Sequence, residues 1–364
     1  MSHQDPNSLL RDPLSQPNSA PDAEISSAIT PGGKNGKSKK ALDLVSIGEA
    51  MVELSCLGDM RFANTMNKSF GGDTFNTLIA AQRLGSKTAY VTRLGSDPFA
   101  YMLRDAMIKE GVNVNQTRIS QTRTNPNKPQ ANESLSGAGQ TGLYITSVGH
   151  DGERTFCYYR KNSAATALSP EDLNPDAITS AKVVFASGVT LAISESARQT
   201  VHRAFKIARD NNVTTALDIN YRESLWKGVS HALDALNELL PLVDVILPST
   251  PDDTQGLIGF SKPEQIIDYF LFKGVQVVAV KAGRDGCYIG YKKEVIHVPA
   301  LVVQAVDTTG AGDAFNGGFL HGLACGFSLL ESARIGVTAA GLKVTGRGTM
   351  EAMPYKDAVY SRVF

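Results

Sequence analysis

The 364-residue chain lacks the features of membrane, secreted and strongly charged proteins. Its apolar residues never form an uninterrupted run of the ~20 needed to cross a bilayer, and its first residues lack the apolar segment of a signal peptide. Its 36 basic and 36 acidic residues leave no net charge, so no global field favours nucleic acid or an anionic membrane as a partner. Its four cysteines lie far apart without CxxC spacing, which predicts inert thiols in a reducing, cytoplasmic environment.

The composition that remains is that of a globular enzyme, with 42% hydrophobic and 20% charged residues. From residue 41 onward, strand-like and helix-like segments alternate. This alternation predicts an α/β fold with a mostly parallel sheet covered by helices on both faces. Residues 1–40 are rich in Ser, Pro, Asn and Gly and predict a disordered tail. A second polar stretch, 121–140, predicts a flexible surface loop.

The most informative stretch is Asp307–Phe315, with the sequence DTTGAGDAF. It lies between a predicted strand at 295–303 and a predicted helix at 314–324. Its glycines let the backbone curl, so the N–H groups of residues 310–313 can point at one anion. A carboxylate beside an anion site suggests that Asp313 deprotonates an incoming hydroxyl. The alternative is a glycine-rich turn in which Asp313 only caps the helix.

A second motif, Phe70–Asn76, reads FGGDTFN and precedes a helix predicted at 76–84. A glycine such as Gly72 lets a ligand approach the backbone closely, and Asn76 can both donate hydrogen bonds to sugar hydroxyls and accept them. A loop followed by a capped helix would explain the same residues without a ligand.

Together the two motifs resemble those of the ribokinase-like (PfkB) carbohydrate kinases, and the resemblance covers nearly everything from residue 41 onward. It implies a three-layer α/β/α domain at 41–364, with strands near 52–70 and 142–160 forming a small β-sheet lid. It also implies ATP and Mg²⁺, with a monovalent cation as a further candidate, and a homo-oligomer assembled through the lid. The implied catalytic residues are Asp313, Gly310, Ala311 and Gly312.

The segments expected to bind the nucleotide match the family less closely. The segment 280–287 resembles the family's segment beside the nucleotide, although a tight hairpin would also require its two glycines. The family's Asn-x-x-Glu element, tied to water-mediated magnesium binding, is replaced by Thr250 and Asp253, and a carboxylate oxygen still suits Mg²⁺. The resemblance thus implies nucleotide contacts from Lys281, Gly283, Gly286 and Thr250, and a magnesium contact through water from Asp253.

Four further residues bear on the acceptor. Tyr158 and Arg160 are two apart on a predicted strand and share one face, and Tyr144 lies on the partner strand. Arg222 follows a strand end, where α/β sheets bind ligands. Two arginines suit a carboxylate, which a guanidinium binds through paired charged hydrogen bonds. Each residue taken alone is more often an ordinary surface or hairpin residue.

The stretches at 45–53, 158–164 and 218–226 resemble those of 2-keto-3-deoxygluconate kinases within this family. The implied reaction is ATP-dependent phosphorylation of a 2-keto-3-deoxy sugar acid at its terminal hydroxyl, with substrate contacts from Gly72, Asn76, Tyr144, Tyr158, Arg160 and Arg222. Two alternatives remain: a PfkB kinase for ribose, fructose or a nucleoside, and a non-catalytic sensor on the same fold. The intact Asp313 argues against the sensor.

Overall fold

The computed structural model describes residues 40–120, 139–149 and 154–364. The tail predicted at 1–40 and the loop predicted at 121–140 therefore lie almost entirely outside the described residues. No helix within the described ranges combines the length and apolar character required to cross a bilayer.

Thirteen strands in the described residues build two sheets. In chain order they are β1 (Leu42–Ile47), β2 (Met51–Leu57), β3 (Asn67–Gly71), β4 (Thr88–Leu94), β5 (Thr117–Ile119), β6 (Gly142–Val148), β7 (Arg154–Tyr159), β8 (Ala181–Ser187), β9 (Thr214–Asp218), β10 (Val245–Ile246), β11 (Val277–Lys281), β12 (Cys287–Tyr291) and β13 (Glu294–Val298). The large sheet has the order β13-β12-β11-β10-β9-β8-β1-β4-β5. Its strands are parallel from β11 to β5, while β12 and β13 form an antiparallel extension.

Helices connect the parallel strands, as right-handed crossovers between parallel strands require. In chain order they are α1 (Asp73–Arg83), α2 (Pro98–Lys109), α3 (Pro175–Thr179), α4 (Gly188–Ile193), α5 (Glu195–Asp210), α6 (Val229–Leu239), α7 (Thr254–Ile258), α8 (Pro263–Phe272), α9 (Ala311–Cys325), α10 (Leu329–Lys343) and α11 (Lys356–Val363). The fold is the predicted α/β/α arrangement.

Successive residues of the central strands enter opposite helical layers. On β1, Leu44 packs into the cluster that contains Phe319 of α9, whereas Val45 packs into the cluster that contains Phe205 of α5. Both strand side chains are at most 1% exposed. A sheet buried on both faces explains why its strands read as continuous apolar runs rather than alternating ones.

The remaining four strands form the small sheet, in the order β3-β2-β6-β7. β2 pairs antiparallel with β3 and parallel with β6, and β6 pairs antiparallel with β7. This small sheet beside a large, mostly parallel one confirms the predicted architecture. The register places Tyr144 directly opposite Tyr158, as expected for two residues sharing one face.

Helix α9 approaches its neighbours at glycines. A Cβ built on Gly317 would lie 2.4 Å from the Cβ of Ala80 in α1, and one built on Gly318 would lie 2.9 Å from the Cα of Gly336 in α10. Neither position has room for a side chain. The backbone of α9, the helix that carries Asp313, therefore packs directly against α1 and α10.

Two predicted elements differ from the structure in their bounds. The strand predicted at 295–303 ends at Val298, because Pro299 follows and a proline has no N–H to extend the ladder. The helix predicted at 76–84 begins three residues earlier, at Asp73, with Gly72 as its N-cap. Asn76 therefore lies inside the first turn of α1, and its side chain is directed by the helix.

Candidate active site

A cleft of about 590 Å³ lies where β1, β9 and β11 end, between the small sheet and the start of α9. It brings together every residue predicted for catalysis and acceptor binding, namely Gly72, Asn76, Tyr144, Tyr158, Arg160, Arg222, Gly310, Ala311, Gly312 and Asp313. Lys281 also lines it, whereas the other predicted nucleotide and metal residues do not. Ligand sites in α/β folds form at this edge of the sheet.

The segment 307–313 forms a tight turn into α9, with Gly310 in a left-handed conformation at φ 76°. The amide of Ala311 donates to the carbonyl of Thr308 at 3.1 Å and is already bonded within the turn. The amides of Gly312 and Asp313 belong to the first helical turn, and within the described residues no acceptor bonds them. The anion site predicted from four successive amides thus rests chiefly on the last two, aided by the helix dipole.

Asp313 lies in the first turn of α9, where the side chain of Asn76 donates to its Oδ2 at 2.8 Å. Burial raises the pKa of Asp313 to about 7, the nearby carboxylates of Asp73 and Asp218 add to the rise, and Asn76 and Lys281 oppose it. A carboxyl group with a pKa near 7 is a stronger base than an ordinary aspartate and is about half ionised at pH 7.

This pKa predicts how activity depends on pH. Asp313 must be ionised to accept a proton, so kcat/KM for the acceptor should rise about tenfold per pH unit below 7 and level off above it. Because the pKa is raised above that of the unfolded chain, the same ionisation should reduce stability as pH rises from about 4 to 7. Initial rates between pH 5 and 9 at saturating ATP would check this. A profile flat from pH 5 to 8 would contradict the assignment of Asp313 as base.

A buried ion pair lies next to the turn at residues 307–313, which we call the anion turn. The ammonium of Lys281 donates to Oδ2 of Asp218 at 2.9 Å and to Oδ1 of Asn316 at 3.2 Å, and Asn316 also donates to Asp218 at 2.6 Å. A Cβ placed on Gly312 would be 3.7 Å from this ammonium. The amides that face an anion therefore have a fixed positive charge beside them.

The loops on the acceptor side are fixed by short polar contacts. Gly72 has φ 130°, and a Cβ there would lie 2.3 Å from the carbonyl of Glu49, so only glycine fits. Asp73 receives a hydrogen bond from the side chain of Asn220 at 2.8 Å and also lines the cleft. Asp73 and Asn220 add polar groups suited to hydroxyls, and sequence analysis did not assign either residue.

The predicted tyrosines occupy different environments. Tyr144 is 5% exposed, and burial, reinforced by Glu53, raises the pKa of its phenol well above the usual value. Tyr158 is 53% exposed, with its ring 5.7 Å from that of Tyr144. Tyr144 thus forms a buried part of the cleft wall, and the more exposed Tyr158 presents a ring and a hydroxyl to the cleft.

The two predicted arginines also differ. Arg160 forms an ion pair with Glu49, a carboxylate that is 2% exposed and also accepts a hydrogen bond from Ser163 at 2.7 Å. Burial raises the pKa of Glu49, and Arg160 opposes this rise. Arg222 is exposed and has no ion-pair partner within the described residues. Burial raises the pKa of Tyr158, and both guanidinium groups oppose the rise, Arg222 more strongly.

Sequence reasoning therefore identified both arginines but missed Glu49, which holds one of them. The stretch containing Glu49 was noted only for its resemblance to the family. Arg222 is the guanidinium that remains available to a ligand, while Arg160 is held in place by a partner of its own.

The predicted nucleotide residues other than Lys281 lie outside the cleft lining. Gly283 and Gly286 both have positive φ, 56° and 90°, in the turn between β11 and β12. A Cβ on Gly283 would meet nothing within 4 Å, so this turn leaves open space for a ligand. The hydroxyl of Thr250 donates to the carbonyl of Ser261 at 2.7 Å, which turns that side chain toward its own loop. Nucleotide contacts from these three residues stay a prediction.

Asp253 is 3% exposed, and its two oxygens accept hydrogen bonds from the amides of Tyr221 at 2.8 Å and Ser249 at 2.7 Å. Burial raises its pKa to about 6, helped by Asp218 and opposed by Lys281. This geometry fits a carboxylate that joins two loops at the base of the cleft. Its predicted contact with magnesium through water stays a prediction.

The described residues contain no cluster of three or more His, Cys, Asp or Glu side chains that could hold a metal ion. Mg²⁺ commonly keeps several waters and binds through substrate phosphates rather than through a full protein cage. The exposed carboxylate of Asp252 lines the cleft and is a hard oxygen donor of the kind that binds the waters of Mg²⁺.

Comparison with known proteins agrees with this geometry. Residues 41–128 and 133–356 match the model of the pfkB family carbohydrate kinases. The chain is 31% identical over 317 residues to 2-dehydro-3-deoxygluconokinase of Thermoproteus tenax, covering 86% of this chain and 91% of that one. It is 30% identical over 327 residues to a fructokinase of Klebsiella pneumoniae, covering 85% and 96% of the two chains.

Among solved structures, a putative ribokinase II from E. coli in complex with ATP and Mg²⁺ superposes with a TM-score of 0.76 at 24% identity. The match covers 88% of this chain and 99% of that one. At this identity the likeness establishes the fold. The residues predicted for catalysis and acceptor binding are argued from the geometry of this chain alone.

Proposed function

This chain belongs to the pfkB family of carbohydrate kinases, and on that premise we propose that it phosphorylates the terminal hydroxyl of 2-keto-3-deoxy-D-gluconate. The product would be 2-keto-3-deoxy-6-phosphogluconate. The observation that carries the proposal is the guanidinium of Arg222, which has no ion-pair partner among the residues that the structure describes, in the same cleft as the buried Asp313. A sugar with a carboxylate at one end and a primary hydroxyl at the other matches a cleft with these two groups.

In the proposed reaction, Asp313 takes the proton of the acceptor hydroxyl as the oxygen attacks the terminal phosphorus of ATP, and the bond from that phosphorus to the bridging oxygen breaks to release ADP. The amides of Gly312 and Asp313, with Lys281 behind them, stabilise the negative charge of the transferring phosphoryl group. MgATP, when bound, supplies that group, with the metal neutralising the polyphosphate. Asn76 orients Asp313 through the hydrogen bond to its Oδ2.

At the other end of the cleft, we propose that Arg222 binds the acceptor carboxylate and that Tyr158 adds a hydroxyl contact. Arg160 contributes its charge from a fixed position, because Glu49 holds it. An acceptor without a carboxylate would leave the guanidinium of Arg222 in contact with water only. The proposed preference for an acid over a neutral ketose therefore comes from one charged contact. Its size can be measured as the difference in kcat/KM between the two sugars.

Replacing Arg222 by alanine should reduce kcat/KM for 2-keto-3-deoxygluconate by about 10- to 150-fold, because a hydrogen bond to a charged group is worth about 1.5–3 kcal/mol. Fructose never makes this contact and should lose little. The measurement is kcat/KM for both sugars in wild type and variant, with Lys227→Ala as a matched control. Lys227 is an exposed cation on the same loop that does not line the cleft.

Equal losses on the two sugars would refute carboxylate recognition by Arg222. A wild type that prefers a neutral ketose would favour a fructokinase, a class also found among the relatives. A wild type that consumes no ATP with any sugar would favour the sensor. Arg160→Ala should differ from Arg222→Ala by weakening both sugars and stability, because it leaves Glu49 buried and unpaired.

We also propose that copies of the chain assemble through the small sheet. Tyr159 on β7 is 59% exposed and lies directly opposite the half-buried Leu143 of β6. Leu54 and Ile145 are also half-buried on this face of the sheet, which is the face away from Tyr158, so apolar side chains adjoin there. Light scattering would test this, since a monomer at micromolar concentration would exclude it.

A further inference from the structure

The ammonium of Lys343 is enclosed behind the anion turn, and the mechanism above does not use it. Lys343 is the last residue of α10, and the whole residue is 0% exposed. Its Nζ donates to the main-chain carbonyl of Asp307 at 3.0 Å and lies 3.5 Å from Oδ2 of the same residue. Burial lowers the pKa of Lys343, and the carboxylate of Asp307 opposes the shift. An ammonium is rarely buried this completely unless its charge is paired.

Asp307 is the first residue of the anion turn, and its carboxylate joins three parts of the chain. It accepts the amide of Thr309 at 2.9 Å and the amide of Gly348 at 2.9 Å. Arg154 of β7 reaches it from the small sheet, with Nη2 2.5 Å from Oδ2. Burial alone would raise the pKa of Asp307, but Lys343, the two amides and Arg154 outweigh it and hold that pKa below its usual value.

The backbone reinforces this link. The amides of Val306 and Asp307 both donate to the carbonyl of Val344, at 2.7 and 3.0 Å. The turn therefore begins against the end of α10, and the ammonium lies between the two segments. Asp313 is also close enough to raise the pKa of Lys343. These contacts together fix where the turn begins, six residues before Asp313, and Lys343 supplies the fully buried cation among them.

We propose that Lys343 serves as a tethered cation that holds the anion turn in its active form, so that this kinase needs no free monovalent cation. The ligands of the ammonium, one carbonyl oxygen and one carboxylate oxygen, are hard oxygen donors of the kind that alkali ions bind. A lysine supplies the same single charge as a compact point on a chain that cannot dissociate. Lys343 is a positioning residue, because it acts through Asp307 and the turn.

The first test uses the wild-type protein. Initial rates with ATP, Mg²⁺ and any accepted sugar are compared in KCl, NaCl and choline chloride at equal ionic strength. Rates that agree within about twofold support the proposal, and a requirement for K⁺ overturns it whether or not any variant folds. Because the comparison uses one sugar throughout, it remains valid with a neutral ketose if 2-keto-3-deoxygluconate is not the acceptor.

The second test removes the charge with Lys343→Met. In choline chloride, kcat should fall by about 10²-fold, as when a group that stabilises transition-state charge is lost. Adding K⁺, NH₄⁺ or methylammonium should restore about tenfold or more, because each can occupy the vacated space beside Asp307, whereas choline is too large. The KM for the sugar should change far less than kcat, since the acceptor wall is not altered.

The matched control is Lys182→Met. The ammonium of Lys182 also contacts one carbonyl and one carboxylate, those of Ala324 at 2.8 Å and Asp43 at 2.7 Å, but it lies outside the cleft. This variant should show no cation dependence. A folded Lys343→Met protein with wild-type kcat in choline chloride, or one that is slow and not rescued by any small cation, would overturn the proposal. If that variant does not fold, Lys343→Gln is measured in the same salts.

Discussion

Asp313→Asn is expected to reduce kcat by about 10²–10⁴-fold while leaving the affinities for nucleotide and sugar within a few-fold of wild type. The amide keeps the shape of the side chain and its contact with Asn76 but cannot accept a proton. The measurement is kcat under saturating substrates, together with calorimetric binding of ADP and of the acceptor. The raised pKa of about 7 makes the carboxylate an effective base, so its removal should produce the full loss in kcat.

A suitable control for this change is Asp357→Asn, which alters an exposed aspartate on α11 in the same way and far from the cleft. That protein should retain wild-type kcat. If Asp313→Asn also retained it, the proton would have to leave by another route, and the role assigned to the anion turn would lose its central residue.

Lys281→Met is expected to lower the free energy of unfolding by about 3–5 kcal/mol, because it leaves the carboxylate of Asp218 buried without its cation. The two side chains are 9% and 4% exposed, so solvent cannot replace the lost partner. The same change removes the positive charge behind Gly312 and should reduce kcat further. Urea unfolding followed by circular dichroism gives the first quantity, and initial rates of the folded variant give the second.

The comparison for this prediction is Lys206→Met, which breaks an exposed pair with Asp210 on α5. Its side chains are 54% and 60% exposed, and pairs of this kind contribute little to stability. Equal destabilisation by the two variants would show that Asp218 stays satisfied by Asn316 alone. In that case Lys281 would act on the phosphoryl group only.

The position of Asp313 could be predicted from sequence because it belongs to a motif of nine contiguous residues, 307–315. Glycines, a carboxylate and the start of a helix specify their own local geometry, so the position of Asp313 in the first turn of α9 followed from the motif. The layered fold was predictable for a similar reason. Alternating apolar segments report burial on both faces of a sheet without reference to distant residues.

The contacts that tune the site could not be predicted in this way. The Lys281–Asp218–Asn316 network joins three elements, separated by 63 residues between the first pair and 98 between Asp218 and Asn316. Arg160 was predicted on the strand of Tyr158 but lies just beyond the end of β7, in the lining of the same cleft. Its partner Glu49 lies 111 positions earlier, between β1 and β2. No local pattern distinguishes a guanidinium awaiting a ligand from one already paired.

Asp253 is a second residue whose contacts could not be predicted from sequence. The family resemblance implied that Asp253 contacts magnesium through water, and in the structure its two oxygens accept hydrogen bonds from two backbone amides; the contact with the ion's waters stays a prediction. A carboxylate that binds amides and one that binds the waters of an ion look alike in sequence. Only the direction of the side chain separates the two roles, and packing determines that direction.

The close packing of α9 has a consequence for how new specificities could arise. Gly317 and Gly318 allow no side chain between α9 and its neighbours, so Asp313 is anchored to parts of the molecule that cannot shift independently. The predicted acceptor contacts, in contrast, include the exposed side chains of Tyr158 on the small sheet and of Arg222 on its loop. Selection or engineering can therefore exchange these side chains while the phosphoryl-transfer apparatus stays unaltered, provided that Arg154, which joins the small sheet to Asp307, is kept. Grafting the small sheet of a fructokinase onto this core, with Arg154 retained, should redirect the acceptor and preserve the turnover step.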